Sequence, residues 1–186
     1  MAPMAQRVLI DADMQAVIES ARLCFVATVT PEGRPNLSPK GTVRVWDDTH
    51  LFFLDIASPG TRANLARNPW MEINVVDQIS RRGYRFFGRA EVHREESEFY
   101  QDAMRRLYGD GPREWNPPSV VLLTVERAAP LLSPAYWRMP DEMAIRDMWR
   151  PRREELDKAR RSNEIIATPL EARRNRASRA IMRWPE

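Results

Sequence analysis

The chain has 186 residues, a net charge of +3, 43% hydrophobic and 30% charged residues. That length suits one domain with an appended arm, and the composition is ordinary for a globular protein. No run of 18 or more apolar residues occurs, which excludes a transmembrane helix.

The start, MAPMAQRVLIDAD, lacks the apolar stretch of a secretory signal. Cys24 is the single cysteine and sits in an apolar run. One thiol forms no intrachain disulfide, so a reducing, cytoplasmic setting is expected. Acids and bases balance through residue 168, and the surplus of cations lies in the five arginines that follow. A nucleic-acid-binding surface would spread a basic stripe over the folded domain. Nucleic acid is therefore a weak reading.

Asp11 or Asp13 can cap a first helix over 13–22, with Met14, Val17, Ile18 and Ala21 on one face. Residues 23–30 alternate Leu23, Phe25, Ala27 and Val29 with Cys24 and Val26, so a strand apolar on both faces is expected, central and covered on each side. Pro31-Glu32-Gly33 makes a hairpin turn. A second strand follows over 35–46, interrupted near Pro39, and a third over 51–56. Ser58 opens a short helix with Pro59 at its first position, ending near Asn68-Pro69. Further strands are expected at 71–76, 83–93 and 119–126, with a helix over 95–108 that stops at Gly109. Trp137, after the last strand, could stack on a ring, although a core position is the commoner use of such an aromatic. Residues 141–163 and 169–183 read as charged helices anchored by Met143, Ile145, Met148 and Trp149. Strands joined by short turns with no βαβ rhythm point to a mainly β fold closed as an antiparallel barrel over 1–140. A charged helical arm over 141–186 completes the chain.

Two segments carry groups suited to a phosphate. NLSPKG (36–41) brings the Ser38 hydroxyl and the Lys40 ammonium to a strand end. Taken alone, Lys40 is also what a surface lysine looks like. SPGTRAN (58–64) combines a helix start with Ser58, Thr61 and Arg62, and Gly60 allows close backbone approach. Its plainer reading is a helix cap made by Ser58. RRGYR (81–85) offers Arg82 as a charge and Gly83 as a close approach to a flat ring, whereas Arg89 and Glu91 read as solvated strand residues. CxxC, HExxH, GxSxG, GxGxxG and P-loop patterns do not occur, and His50 and His93 are too isolated for a metal site. Any reaction would then rest on a cofactor, with no side-chain catalyst assigned.

The segments LCFVATVTPEGRP, NLSPKG, FFLDIASPGTRANLARNP and RGYRFFGRAEV, within residues 12–127, together resemble the pyridoxamine 5′-phosphate oxidase-like split-barrel family. The resemblance implies a six-stranded antiparallel split barrel, an obligate homodimer, and FMN at the subunit interface. It implies an oxidoreductase passing a hydride or electron pair through the flavin to a small-molecule substrate. By position, Ser38 and Lys40 would line the flavin, Leu54 and Asp55 would flank the ring, and Ser58, Thr61 and Arg62 would hold the phosphate. Arg82 and Gly83 would approach from the partner subunit. The oxidases proper carry an Arg-Lys pair at the helix start, where Gly60 and Thr61 stand here, and their Arg-Leu-x-x-Arg segment has no counterpart in RASRAIMRWPE. Pyridoxamine phosphate is therefore not the expected substrate. The deazaflavin F420 and a non-catalytic flavin- or heme-binding module are the alternatives.

Overall fold

A computed structural model describes residues 10–111, 113 and 115–162. The expected helix over 169–183 lies outside the described residues. Helix α1 (Ala12–Ala21) is capped by Asp11, whose carboxylate accepts the Met14 N–H at 2.8 Å. Asp13 serves elsewhere, as described below. Strands β1 (Cys24–Val29), β2 (Pro35–Lys40), β3 (Arg44–Val45) and β4 (His50–Asp55) follow, then the short helix α2 (Pro59–Leu65). Strands β5 (Trp70–Asp77) and β6 (Arg82–His93), helix α3 (Glu98–Tyr108), strand β7 (Ser119–Leu132) and helix α4 (Glu142–Ser162) complete the order.

The strands form one curled sheet in the order β2-β1-β5-β6-β7-β4-β3, with every pairing antiparallel. The fold is mainly β, as expected, but the described residues form seven strands because the segment 35–46 is two strands. The break falls at Gly41–Val43, after Lys40, and not at Pro39. β2 and β3 end on opposite edges of the sheet, so residues 41–43 carry the chain across the opening. Pro39 stays in β2 because an edge strand can lack one N–H donor. β7 runs to Leu132, well past 126, paired throughout by the long β6.

Val26, Ile73, Phe86 and Leu123 are fully buried inside the curl. A second apolar cluster lies under α3, where Phe52, Leu54, Tyr100 and Met104 meet. Ser97 caps α3 by accepting the Tyr100 N–H, which moves its start three residues past the expected 95. Each Phe or Leu buried here contributes roughly 1.5–3 kcal/mol.

The opposite face of β1 departs from expectation. The register Phe25↔Pro39, Ala27↔Leu37 and Val29↔Pro35 puts six apolar residues on one outward face. Phe25 and Val29 are 40% exposed and Leu37 62%. β1 is interior to the sheet, but only one of its faces is covered by the described residues. Trp137 also departs from a core role, being 86% exposed.

Helix α4 packs back on the β5–β6 turn. Ile145 is fully buried, and Arg146 bridges Glu142 and Asp77. Met143 and Met148 face outward. Arg82 binds both Asp13 carboxylate oxygens at 2.7 Å and reaches Glu142 at 2.6 Å, tying α1, β6 and α4 together. Tyr84 donates to the same Asp13 carboxylate, and these bonds lower the Asp13 pKa to about 2.

Candidate functional site

The strand alternation of β2 places Asn36, Ser38 and Lys40 on its less exposed face. Helix α2 packs against that face and against β1. A lysine that would reach solvent from an isolated strand is thereby enclosed, and Lys40 is 7% exposed. Its ammonium donates to the Ser38 hydroxyl and to the Ser58 hydroxyl, each at 2.7 Å.

Ser58 passes the interaction on. Its hydroxyl donates to Asp55, and its backbone N–H reaches the same carboxylate oxygen at 3.2 Å. Asp55 is wholly buried at the end of β4. Its other oxygen accepts from Ser119 at 3.4 Å and pairs with the Arg62 Nε at 3.2 Å. One carboxylate thus fixes the end of β4, the start of β7 and the first turn of α2. Ser58 makes no side-chain cap to α2, so the plain capping reading does not hold. Its hydroxyl is engaged by Lys40 on one side and Asp55 on the other.

A second polar group supports the helix from below. Thr28 accepts from Asn36 and Asn64, each at 3.0 Å, and Asn36 also leans on the Thr61 hydroxyl at 3.5 Å. Thr61 is 1% exposed, so its side chain belongs to the packing beneath α2. Arg62 keeps about a third of its side chain in solvent, with Nε committed to Asp55.

The Lys40 ammonium forms no ion pair with any carboxylate among the described residues, and its two partners are neutral hydroxyls. Burial pushes its pKa below the ordinary 10.5, against the pull of Asp55. The Phe53 ring lies 5.5 Å from the ammonium and adds to the apolar surroundings. An ammonium so placed still has a hydrogen to donate and favours an anion.

That anion has a place to sit. A cleft of about 270 Å³ opens beside Lys40, lined by Ser38, Gly41, Thr42, Leu54, Ile56 and Ala57. Ile56 is 51% exposed and supplies an apolar wall. The Thr42 hydroxyl takes up both polar groups of the Leu54 backbone, accepting its N–H at 3.0 Å and donating to its C=O at 3.2 Å. This arrangement lets the chain leave β2 beside β4 without orphaned backbone groups.

Of the expected site residues, Ser38, Lys40, Leu54, Asp55, Ser58, Thr61 and Arg62 form one cluster. Their depths differ: Ser38, Lys40 and Leu54 line the cleft, while Asp55 and Thr61 are anchors behind it. Arg82 and Gly83 are not brought to this cluster. Ser119 begins β7 beside Asp55, whereas Leu132 ends it beside Arg82, roughly 40 Å of strand away. Gly83 has a local reason to be glycine, because a Cβ there would meet the Val75 carbonyl oxygen at 1.9 Å.

Sequence reasoning missed Asn36, Thr42, Asn64 and Ser119. The alternation 36/38/40 and the helical spacing 61/64 were usable signals for the two asparagines. Ser119 carries no local signal, since only the β4–β7 pairing brings it to Asp55. Cys24 is buried, and burial pushes its thiol pKa up to about 12, in line with a small hydrophobe. His50 is held by Asp47 and Thr49, and neither histidine lines the cleft.

A family profile for pyridoxamine 5′-phosphate oxidase matches residues 10–131. The crystal structure of HupZ from Group A Streptococcus is 35% identical, covering 67% of this chain and 96% of that one, with a TM-score of 0.60. A pyridoxamine 5′-phosphate oxidase-related, FMN-binding protein from Nostoc punctiforme is 20% identical over 70% of this chain and 84% of that one, with a TM-score of 0.51. HutZ, a heme storage protein from Vibrio cholerae, is 20% identical over 68% of this chain and 95% of that one, with a TM-score of 0.52. The last two show the shared split-barrel fold. No curated protein matches the chain.

Proposed function

The chain belongs to the pyridoxamine 5′-phosphate oxidase family, and from that premise we propose that it is an FMN-binding, homodimeric oxidoreductase acting on a small molecule. The observation that carries the reading is the Lys40 ammonium, enclosed, lacking a carboxylate partner among the described residues and open to a cleft edged with hydroxyls. Lys40 and Ser38 would receive the phosphate, with Arg62 supplying further positive charge from the rim. Leu54 and Ile56 would give the flat ring an apolar surface. Asp55, Ser58 and Thr61 hold these groups in place. The bound flavin would supply hydride or electron-pair transfer, and the chain's own residues would bind, orient and shield it.

Two features support a dimer. At about 270 Å³ the cleft is smaller than the ~300–1,000 Å³ usual for a whole small-molecule site, so a second surface would complete it. The outward face of Phe25, Ala27, Val29 and Leu37 is the kind of exposed apolar patch that marks an interface. In such a dimer Arg82 and Gly83 would come to the flavin from the partner. Leu37→Glu should then shift the chain to monomer in light scattering, and an unchanged dimer mass would remove this face from the interface.

FMN is favoured over heme because the cleft lining holds a cation and hydroxyls suited to a phosphate. F420 shares the need for an anion site and remains the alternative flavin. No described helix is long and apolar enough to cross a membrane, and the buried thiol of Cys24 suits a reducing cytosol. The test is the visible spectrum of the purified protein after incubation with FMN and gel filtration. A retained two-band flavin spectrum supports the reading, and a colourless protein in the presence of excess FMN contradicts it.

A further inference from the structure

A second cleft, of about 440 Å³, lies between helix α4 and the turn joining β5 to β6. Its floor is Val76 and Ile79, and its walls carry Arg81, Trp149, Arg152 and Arg153. The lining has three guanidinium groups and no carboxylate. Of the nearby acids, Asp77 pairs with Arg146, and Asp157 lies 3.8 Å from the Arg153 Nε, so Arg153 is already balanced and Arg81 and Arg152 are the guanidiniums left to an anion. Arg82, next along the turn, is held by Asp13 and Glu142.

The cations are arranged rather than scattered. Arg81 sits at a positive φ of 55°, a backbone region that a non-glycine side chain rarely occupies, and lies over the Trp149 ring at 3.5 Å. Arg153 is held by Gln78 and Asp157. Arg152 has no ion-pair partner among the described residues. The Trp149 Nε1–H is buried and meets no acceptor among them. The guanidiniums of Arg81 and Arg152, the Trp149 ring and an apolar floor together describe the partner the cleft suits. It would carry oxygen acceptors on a flat apolar body.

We propose that this cleft binds a flat organic anion, an aromatic carboxylate or phosphate ester, with Arg81 and Arg152 on the anionic group and Val76 and Ile79 under the ring. Trp149, Arg152 and Arg153 lie beyond the residues that match the family, so the site belongs to this chain's own arm. It shares no lining residue with the Lys40 cleft.

The test uses the full chain labelled with nitrogen-15 and titrated with phenyl phosphate, following the Trp149 indole N–H resonance. Trp149→Phe identifies that resonance. The expected result is a saturable shift that persists in FMN-saturated protein, with affinity reduced about tenfold in Arg152→Gln. Arg152 is exposed and has no ion pair among the described residues, so that variant should leave the fold intact. Inorganic phosphate should bind at least about tenfold more weakly than phenyl phosphate, since it cannot use the apolar floor. Four results would overturn the proposal: no shift, a shift unaltered by Arg152→Gln, equal binding of inorganic phosphate, or displacement of phenyl phosphate by FMN.

Discussion

Replacing Lys40 with methionine separates its role in binding from its role in folding. Methionine keeps much of the length and loses the charge. The apo protein gives up two hydrogen bonds to hydroxyls but no longer encloses an ammonium. Those effects oppose each other, and the net change in stability should stay within about 1 kcal/mol. Ser58 retains Asp55, so the β4–α2 junction survives. Binding of FMN loses one charge-assisted contact, worth roughly 1.5–3 kcal/mol, or about 10- to 150-fold in Kd. Riboflavin has no phosphate and should bind wild type and variant within about threefold of each other. Flavin fluorescence titrations and urea unfolding read both quantities. An FMN Kd within about threefold of wild type, or an equal loss for riboflavin, would refute the role given to Lys40.

The lowered Lys40 pKa has a defined sign. The unfolded chain holds that proton more tightly, so stability should rise with pH between the lowered folded value and the ordinary 10.5, and Lys40→Met should abolish the rise in urea melts. FMN affinity should fall over the same window as the ammonium deprotonates. Asp55→Asn leaves Arg62 and Ser119 facing an amide and should cost about 2–4 kcal/mol of unfolding free energy, discounted because Arg62 can turn to solvent. A loss under about 0.5 kcal/mol would deny Asp55 its anchoring role. Asp13 titrates at about 2, below its ordinary 3.8, so its contribution is present above about pH 4 and lost as pH falls toward 2. Asp13 is nearly half exposed, and after solvent screening Asp13→Asn should cost about 1 kcal/mol at neutral pH, with the acid dependence flattened.

The strands were legible where alternation was strong, as in β5 and β6, and where a turn was marked, as by Gly33. Residues 35–46 were read as one strand because the crossing at Gly41–Val43 is a property of sheet closure, which no local pattern encodes. The outward face of β1 looked like a buried strand because an exposed apolar face has the same composition as a core. At the site, the types of residue were legible and their depths were not. Lys40, Ser38 and Ser58 were recognisable from their chemistry, but that Asp55 and Thr61 sit behind the cleft follows from how α2 docks on β1 and β2. Ser119 arrives from 64 residues away through one strand pairing. Arg82 looked like a free charge, and only the packing of α1 and α4 gives it two carboxylate partners.

The most direct test of the central claim is diffraction from crystals grown with FMN. The account predicts flavin phosphate density within about 3 Å of the Lys40 Nζ, in the cleft edged by Ser38 and Thr42. Flavin bound with its phosphate elsewhere, or a cleft without flavin at saturating FMN, would contradict it.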